Sequence, residues 1–277
     1  MSTNSIATPV VAERGHLWRD TLSEFWRYRE LLYFFAWRDI KVRYRQAALG
    51  AAWAVIQPLF NMLIFAVVFG RLAKMPSNGI PYPIFSYVAL VPWTYFSGVI
   101  GLASISLISN SSLITKVYFP RMLLPAGTAV AGLLDFVIAS VLLVGMMFYY
   151  HVRVGWFFLL SPVVIFLMVV LTTGVSMLLA AMTVKYRDIK YVLPFAIQLL
   201  LFATPIIYPV DIFPVWSRPI LALNPCWGMV VGFRTCLLPH QTADLTQMGI
   251  STGMTIVIFA FGLYYFNKSE KFFADII

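Results

Sequence analysis

The chain has 277 residues, of which 61% are hydrophobic and only 11% charged. A soluble domain of this length would carry about 25% charged residues, so the composition excludes one and describes an integral membrane protein. The net charge of +9 needs no nucleic-acid partner, because the distribution of Lys and Arg around the apolar spans accounts for it.

The first 50 residues are polar or amphipathic, without the short basic region and immediate apolar core of a signal peptide. The first apolar span is therefore expected to act as an uncleaved anchor. Within 17–45, Trp18, Leu22, Phe25, Trp26 and Leu32 recur at helical spacing among Arg19, Arg27, Arg29, Arg38, Lys41, Arg43 and Arg45. This reads as an interfacial helix, apolar face in lipid and basic face toward anionic headgroups. Its last part, 37–45, would stand at the mouth of a pathway.

A spanning helix needs about 20 apolar residues, and the charges punctuate the chain accordingly. Spans are predicted at 51–70, 84–105, 122–150, 156–183, 191–208 and 250–266. On span one, Trp53, Gln57, Asn61 and Phe65 form an i, i+4 row on one face. Gln198 and Phe202 repeat that spacing on span five. Amides among aromatics suit a sugar pathway, since rings stack on sugar faces and amides meet hydroxyls; interhelical hydrogen bonding is the other reading.

Asp135 is the acid inside a predicted span, and no Glu, His, Lys or Arg shares the span core with it. An intramembrane carboxylate must face protein or water. A structural role at a helix interface is favoured; a proton relay, making the chain a carrier, is the alternative.

Between 211 and 240 two short apolar pieces are broken by Pro214, Pro219 and Asn224-Pro225. Non-helical backbone at membrane depth requires cover by protein or water. A re-entrant pair of short helices is expected, turning at Asn224-Pro225, with Arg234 within or near it. Fifteen Lys and Arg flank the spans on the side of both termini and five on the other. The positive-inside rule then places both termini in the cytoplasm.

Chemistry is scarce. Cys226 and Cys236 are too few for a disulfide framework, and His16, His151 and His240 show no metal-ligand spacing. No nucleophile–base pair or paired carboxylates mark a cleft, so the chain is not expected to be an enzyme or to bind a cofactor itself. No Gly-x-x-x-x-Gly-Lys-Ser/Thr loop occurs, so any nucleotide energy must arrive through a partner. The polar stretch 109–121, with its aromatic tip, is a socket for one.

Four segments together resemble the membrane subunits of ABC-2 type polysaccharide exporters, which move O-antigen, capsule or teichoic-acid chains. The first is Trp37-Arg38-Asp39-Ile40-Lys41-Val42-Arg43-Tyr44-Arg45, running into Leu49-Gly50, Trp53 and Gln57-Pro58. The second is Leu113-Ile114-Thr115-Lys116-Val117-Tyr118-Phe119-Pro120-Arg121, with Leu124-Pro125. The third is Lys185-Tyr186-Arg187-Asp188-Ile189, leading to Pro194. The fourth is Pro205-Ile206-Ile207-Tyr208-Pro209, followed by Asn224-Pro225 and Gly232-Phe233-Arg234.

The resemblance implies a fold, partners and roles. The fold is all-α, six spans over 51–277 following a cytoplasmic segment 1–50, with an interfacial helix and an outer re-entrant pair. A coupling helix at about 109–121 would seat in a separate ATPase through Leu113, Lys116, Tyr118, Phe119 and Arg121. Trp37, Arg38, Lys41, Arg43 and Arg45 would belong to a gate helix, and Tyr208, Asn224, Pro225 and Arg234 to an outer gate. Spans one and five would line a channel shared by two copies, in the bacterial inner membrane. ATP and Mg would be bound by two copies of the ATPase subunit. The expected cargo is a lipid-linked polysaccharide; a small lipid or drug is the nearest alternative within the same plan.

Overall fold

The computed structural model describes residues 26–45, 52–239 and 244–276, and all regular elements among them are helical. The expected interfacial positions Trp18, Leu22 and Phe25, and the Leu49-Gly50 link, lie outside the described residues.

Helix α1 (Arg29–Arg45) precedes α2 (Trp53–Phe65), which continues into a wide π-helical stretch, Ala66–Leu72. The loop beyond turns through left-handed Lys74, Asn78 and Gly79. Gly70 sits against Tyr82, where a Cβ would come within 2.9 Å of the ring. That glycine lets the end of span one lie on the start of α3 (Tyr82–Ser104).

Helix α3 is apolar on every side and 78% of its span is buried, as expected of a helix at the centre of a bundle. Two of its tyrosines fasten it to α6 (Leu123–Tyr149): Tyr87 donates to the Ala139 carbonyl at 3.2 Å and Tyr95 to Ala129 at 3.1 Å. Between them lie two short helices, α4 (Ser106–Ser109) and α5 (Ser111–Lys116), and a non-helical 117–120 that begins with extended Val117. Helix α7 (Ser161–Lys185) follows a 3₁₀ turn, Trp156–Leu160, whose large apolar side chains are exposed.

The fifth predicted span departs from expectation. Helix α8 (Ile189–Ala203) has 15 residues and stops short of Tyr208. Thr204 precedes Pro205 and adopts extended backbone (φ −103, ψ 139), because the proline ring disfavours the helical conformation before it. The remaining residues form a turn in which Thr204, Ile206 and Ile207 are buried.

A bent pair follows. The helical stretch Val215–Leu221, ending in α9 (Arg218–Leu221), meets α10 (Pro225–Leu237) at 112°. Asn224 makes the break, its side chain accepting the Cys226 N–H at 3.0 Å, with Pro225 at the helix start. Cys226 and Cys236 are free, both buried on α10, and ten residues of helix hold them about 15 Å apart, beyond disulfide reach. The last helix, α11 (Leu245–Ile276), extends the predicted 250–266 span at both ends.

Five of the described helices are long and apolar enough to cross a membrane, or six if the bent pair counts as one span. The protein is thus an all-α, multi-pass membrane protein. Its main core surrounds α3; a second lies at the end carrying α5, where Phe35, Phe119, Leu123, Met177, Phe266 and Phe273 meet. That end is called the basic end below.

Candidate functional site

Helix α1 lies alongside the first half of α6. Phe35 and Ala36 cover Gly127, where a Cβ would come within 3.1 Å of the Phe35 Cβ. One turn on, the Thr128 hydroxyl donates to Asp39 at 3.1 Å. Further along, Asp135 accepts from both the Arg43 guanidinium and the Tyr44 hydroxyl. Positions rise together on both helices, so they run in the same direction. Asp135 lies 12 residues beyond Leu123, about 18 Å along the axis, near the middle of α6.

Asp135 thus has a basic partner although no Lys or Arg shares the span core with it. Its cation comes from outside the spans, 92 residues earlier in the chain. The pairing answers the cost of a carboxylate at that depth. Charge at the end of α1 was visible in the sequence; its depth was not.

The same residues wall a cavity of about 260 Å³. Arg43 and Tyr44 come from α1, Trp53 and Gln57 from α2, Thr94, Gly98 and Leu102 from α3, and Asp135 and Phe136 from α6. Gly98 helps leave the space, since a Cβ there would meet nothing within 4 Å. Of the expected lining residues, the structure brings Trp53 and Gln57 here and not the others. Asn61 and Phe65 are half-buried further along α2, with Phe65 edge-on to Phe69 at 5.6 Å. Gln198 and Phe202 sit on the exposed face of α8, away from the cavity.

Of the rest of the expected gate segment, Trp37, Lys41 and Arg45 face outward and Arg38 is half-buried. Trp37 stacks on Tyr33 at 6.4 Å and carries the Lys41 ammonium over its ring at 5.5 Å. Arg38 pairs with Asp39 at 3.0 Å and lies over Phe35, while Arg45 is exposed.

The expected coupling residues divide into two groups. Lys116 and Tyr118 point outward, Tyr118 being 87% exposed. Leu113 packs partly against the basic-end core. Phe119, expected as a contact side chain, is instead buried, its ring 5.4 Å from Phe35. Arg121 is held within the chain: its guanidinium donates to the Glu270 carbonyl at 2.6 Å, and its backbone N–H to the Glu270 carboxylate at 3.2 Å. Phe35 and Glu270 were missed, because nothing local to either residue announces a partner so distant in sequence.

The residues expected at an outer gate converge on the turn after α8. Arg234, 2% exposed, donates to the carbonyls of Pro205, Ile206, Tyr208 and Phe85, and its guanidinium sits 3.7 Å from the Phe85 ring centre. Tyr82 donates to Ile207 at 2.6 Å, Tyr208 to Phe202 at 2.8 Å, and the Asn224 amide to Thr204 at 3.1 Å. Arg234 thus satisfies carbonyls that the broken helix exposes, and its charge suits the negative end of α8. It is a fastener inside the protein.

The family model described as ABC-2 type transporter matches residues 30–238. Over 256 residues the chain is 29% identical to the O-antigen export system permease protein RfbA of Myxococcus xanthus, covering 92% of this chain and 98% of that protein. A Klebsiella pneumoniae protein with the same description is 28% identical, covering 90% and 95%. The polysialic acid transport protein KpsM of Escherichia coli is 23% identical, covering 84% and 91%. The matched region takes in the α1–α6 seam, the cavity, α5 and the Arg234 turn, and with a helical membrane fold around them this chain belongs to the ABC-2 type transporter family.

Proposed function

We propose that the chain is the permease subunit of an ATP-driven exporter that moves a lipid-linked polysaccharide outward across the bacterial inner membrane. The observation that carries the reading is similarity over most of the chain to O-antigen permeases, joined to a cavity walled by Trp53, Gln57 and Tyr44. An aromatic ring and an amide are the groups a sugar chain meets most readily, through stacking and hydroxyl hydrogen bonds.

The permease works as a homodimer with both termini cytoplasmic. Helix α2 supports this: only 11% of its span is buried, and Phe60, Leu63, Ile64, Val67 and Val68 are exposed along it. Helix α8 is likewise open at Tyr191, Phe195 and Phe202. A second copy related by a twofold axis would bring such faces together around a shared pathway. The pathway passes an extended polymer, so its walls need tolerance rather than catalytic groups.

Two copies of an ATPase subunit bind ATP and Mg and drive the cycle, meeting each permease at Lys116 and Tyr118. Co-purification tests this. In mild detergent the chain should bring down an ATPase, and Lys116→Ala/Tyr118→Ala should lose it while keeping a normal elution profile. An undiminished ATPase yield with the variant would remove this surface from the interface; no ATPase with either chain would overturn the exporter reading.

A further inference from the structure

We infer that Asp135 positions the end of α1: by holding Arg43 and Tyr44 it clasps that end at the cavity wall, and the cavity opens when the clasp is released. The consequence for transport rests on the permease reading; the clasp itself does not.

The two ends of α1 are held by different forces. Near its start, Phe35 and Ala36 are 2% and 3% exposed, and Phe35 belongs to an apolar core shared with Phe119 and Phe266. Such contact is non-directional and is lost only by exposing the whole surface to water. At its other end, α1 is tied to α6 by one carboxylate with one guanidinium and one phenol. Directional contacts of this kind are made or broken as a unit. The first end is therefore a pivot and the second a clasp.

Water makes release feasible. The Arg43 and Asp135 side chains each remain 28% exposed and lie on the cavity wall. The cavity of about 260 Å³ has room for water, so separating them need not strand a charge in lipid, which is the prohibitive alternative. Gly98, opposite on α3, offers no side chain to obstruct the shift.

Release also changes the cavity. Arg43 and Tyr44 form one wall, and the chain enters α2 at Trp53 soon after Arg45, with Trp53 and Gln57 forming the next wall. Swinging the end of α1 away from Asp135 therefore widens the space in front of Thr94 and Gly98. The ionic pair thus reads as a device of the cavity and not only as neutralisation of a stray acid.

The test uses the full chain in lipid nanodiscs, with Thr94→Cys as a reporter on the cavity wall. The Thr94 hydroxyl donates only back to its own helix, to Leu90 and Val91, so its loss removes no hydrogen bond to another element. The native thiol of Cys226, 1% exposed, is the internal control for loosening of the whole fold. Reaction with a charged maleimide is followed at both sites. Asp135→Asn should raise the rate at the introduced thiol on the order of tenfold and leave Cys226 unchanged. The exchanged pair Arg43→Asp/Asp135→Arg should return the rate toward that of the parent.

An unchanged rate with Asp135→Asn would overturn the clasp. So would a parallel rise at Cys226, or an exchanged pair that stays fast. The labelling needs neither ATPase nor glycan, so failure of the exporter reading shows separately, as absent ATPase in the co-purification.

Discussion

Phe119 of the segment after α5 packs its ring against Phe35 of α1, centroids 5.4 Å apart and planes tilted by 54°. The two residues stand on segments given different tasks by the sequence reading, yet they share one buried core. Phe119→Ala should lower stability by about 3–5 kcal/mol, the range for a buried Phe. Phe35→Ala should do the same, and the double variant should cost less than the sum by about 0.5–1.5 kcal/mol, the coupling of an aromatic pair. Thermal unfolding of the detergent-solubilised variants checks this; strict additivity would deny the contact.

Tyr118 and Arg121 should separate binding from folding. Tyr118 is 87% exposed, so Tyr118→Ala should change stability by no more than about 0.5 kcal/mol while lowering ATPase capture. Arg121 is bonded to Glu270, so Arg121→Ala should cost about 1.5–3 kcal/mol, as a hydrogen bond from a charged group is worth. Unfolding midpoints and pull-down yields, measured on the same preparations, should move in opposite order for the two variants.

Arg234 holds four carbonyls from two segments. Arg234→Met keeps the volume but orphans those acceptors, and should cost about 3 kcal/mol or more. Arg234→Lys should recover only part, because one ammonium cannot reproduce the planar fork. Protease sensitivity in the turn after Ala203 should rise in the same order: parent, Lys, Met.

Helices α7 and α11 cross in backbone contact. A Cβ on Gly262 would lie 2.2 Å from the Gly174 carbonyl oxygen, and one on Gly174 would lie 2.6 Å from the Phe259 Cα. Both neighbours are backbone and cannot swing aside, so small residues are needed at such an interface. Gly262→Ala and Gly174→Ala should each cost about 1–3 kcal/mol, the overpacking range. Gly145→Ala, where a Cβ would meet nothing within 4 Å, is the control and should be near neutral.

The legible parts of the fold were those written in continuous local chemistry. Spacing of charges located the long apolar helices, and Asn224-Pro225 located the break in the bent pair. Thr204-Pro205 carried the end of α8, but the apolar run through Tyr208 concealed it, because burial and helicity give the same composition. Pairings between distant segments were not legible. Arg43 reads as one basic residue among many, and the seating of α1 on α6, through Phe35 on Gly127 and Asp39 on Thr128, brings it to Asp135. Phe119 looked like an exposed aromatic tip beside Tyr118; past the end of α5 the two neighbours part, Tyr118 exposed and Phe119 buried.

The tie between Arg121 and Glu270 sets how force can travel. Helix α11 is continuous from Leu245 to Ile276, so Glu270 sits about 12 Å along the same rod from the Gly262 crossing. That crossing leaves no room for sliding, and the rod acts as a fulcrum. Under the proposed docking of an ATPase at Tyr118, a push there would meet α11 at the Arg121 tie and α1 at the Phe119–Phe35 contact, two places where this segment is held.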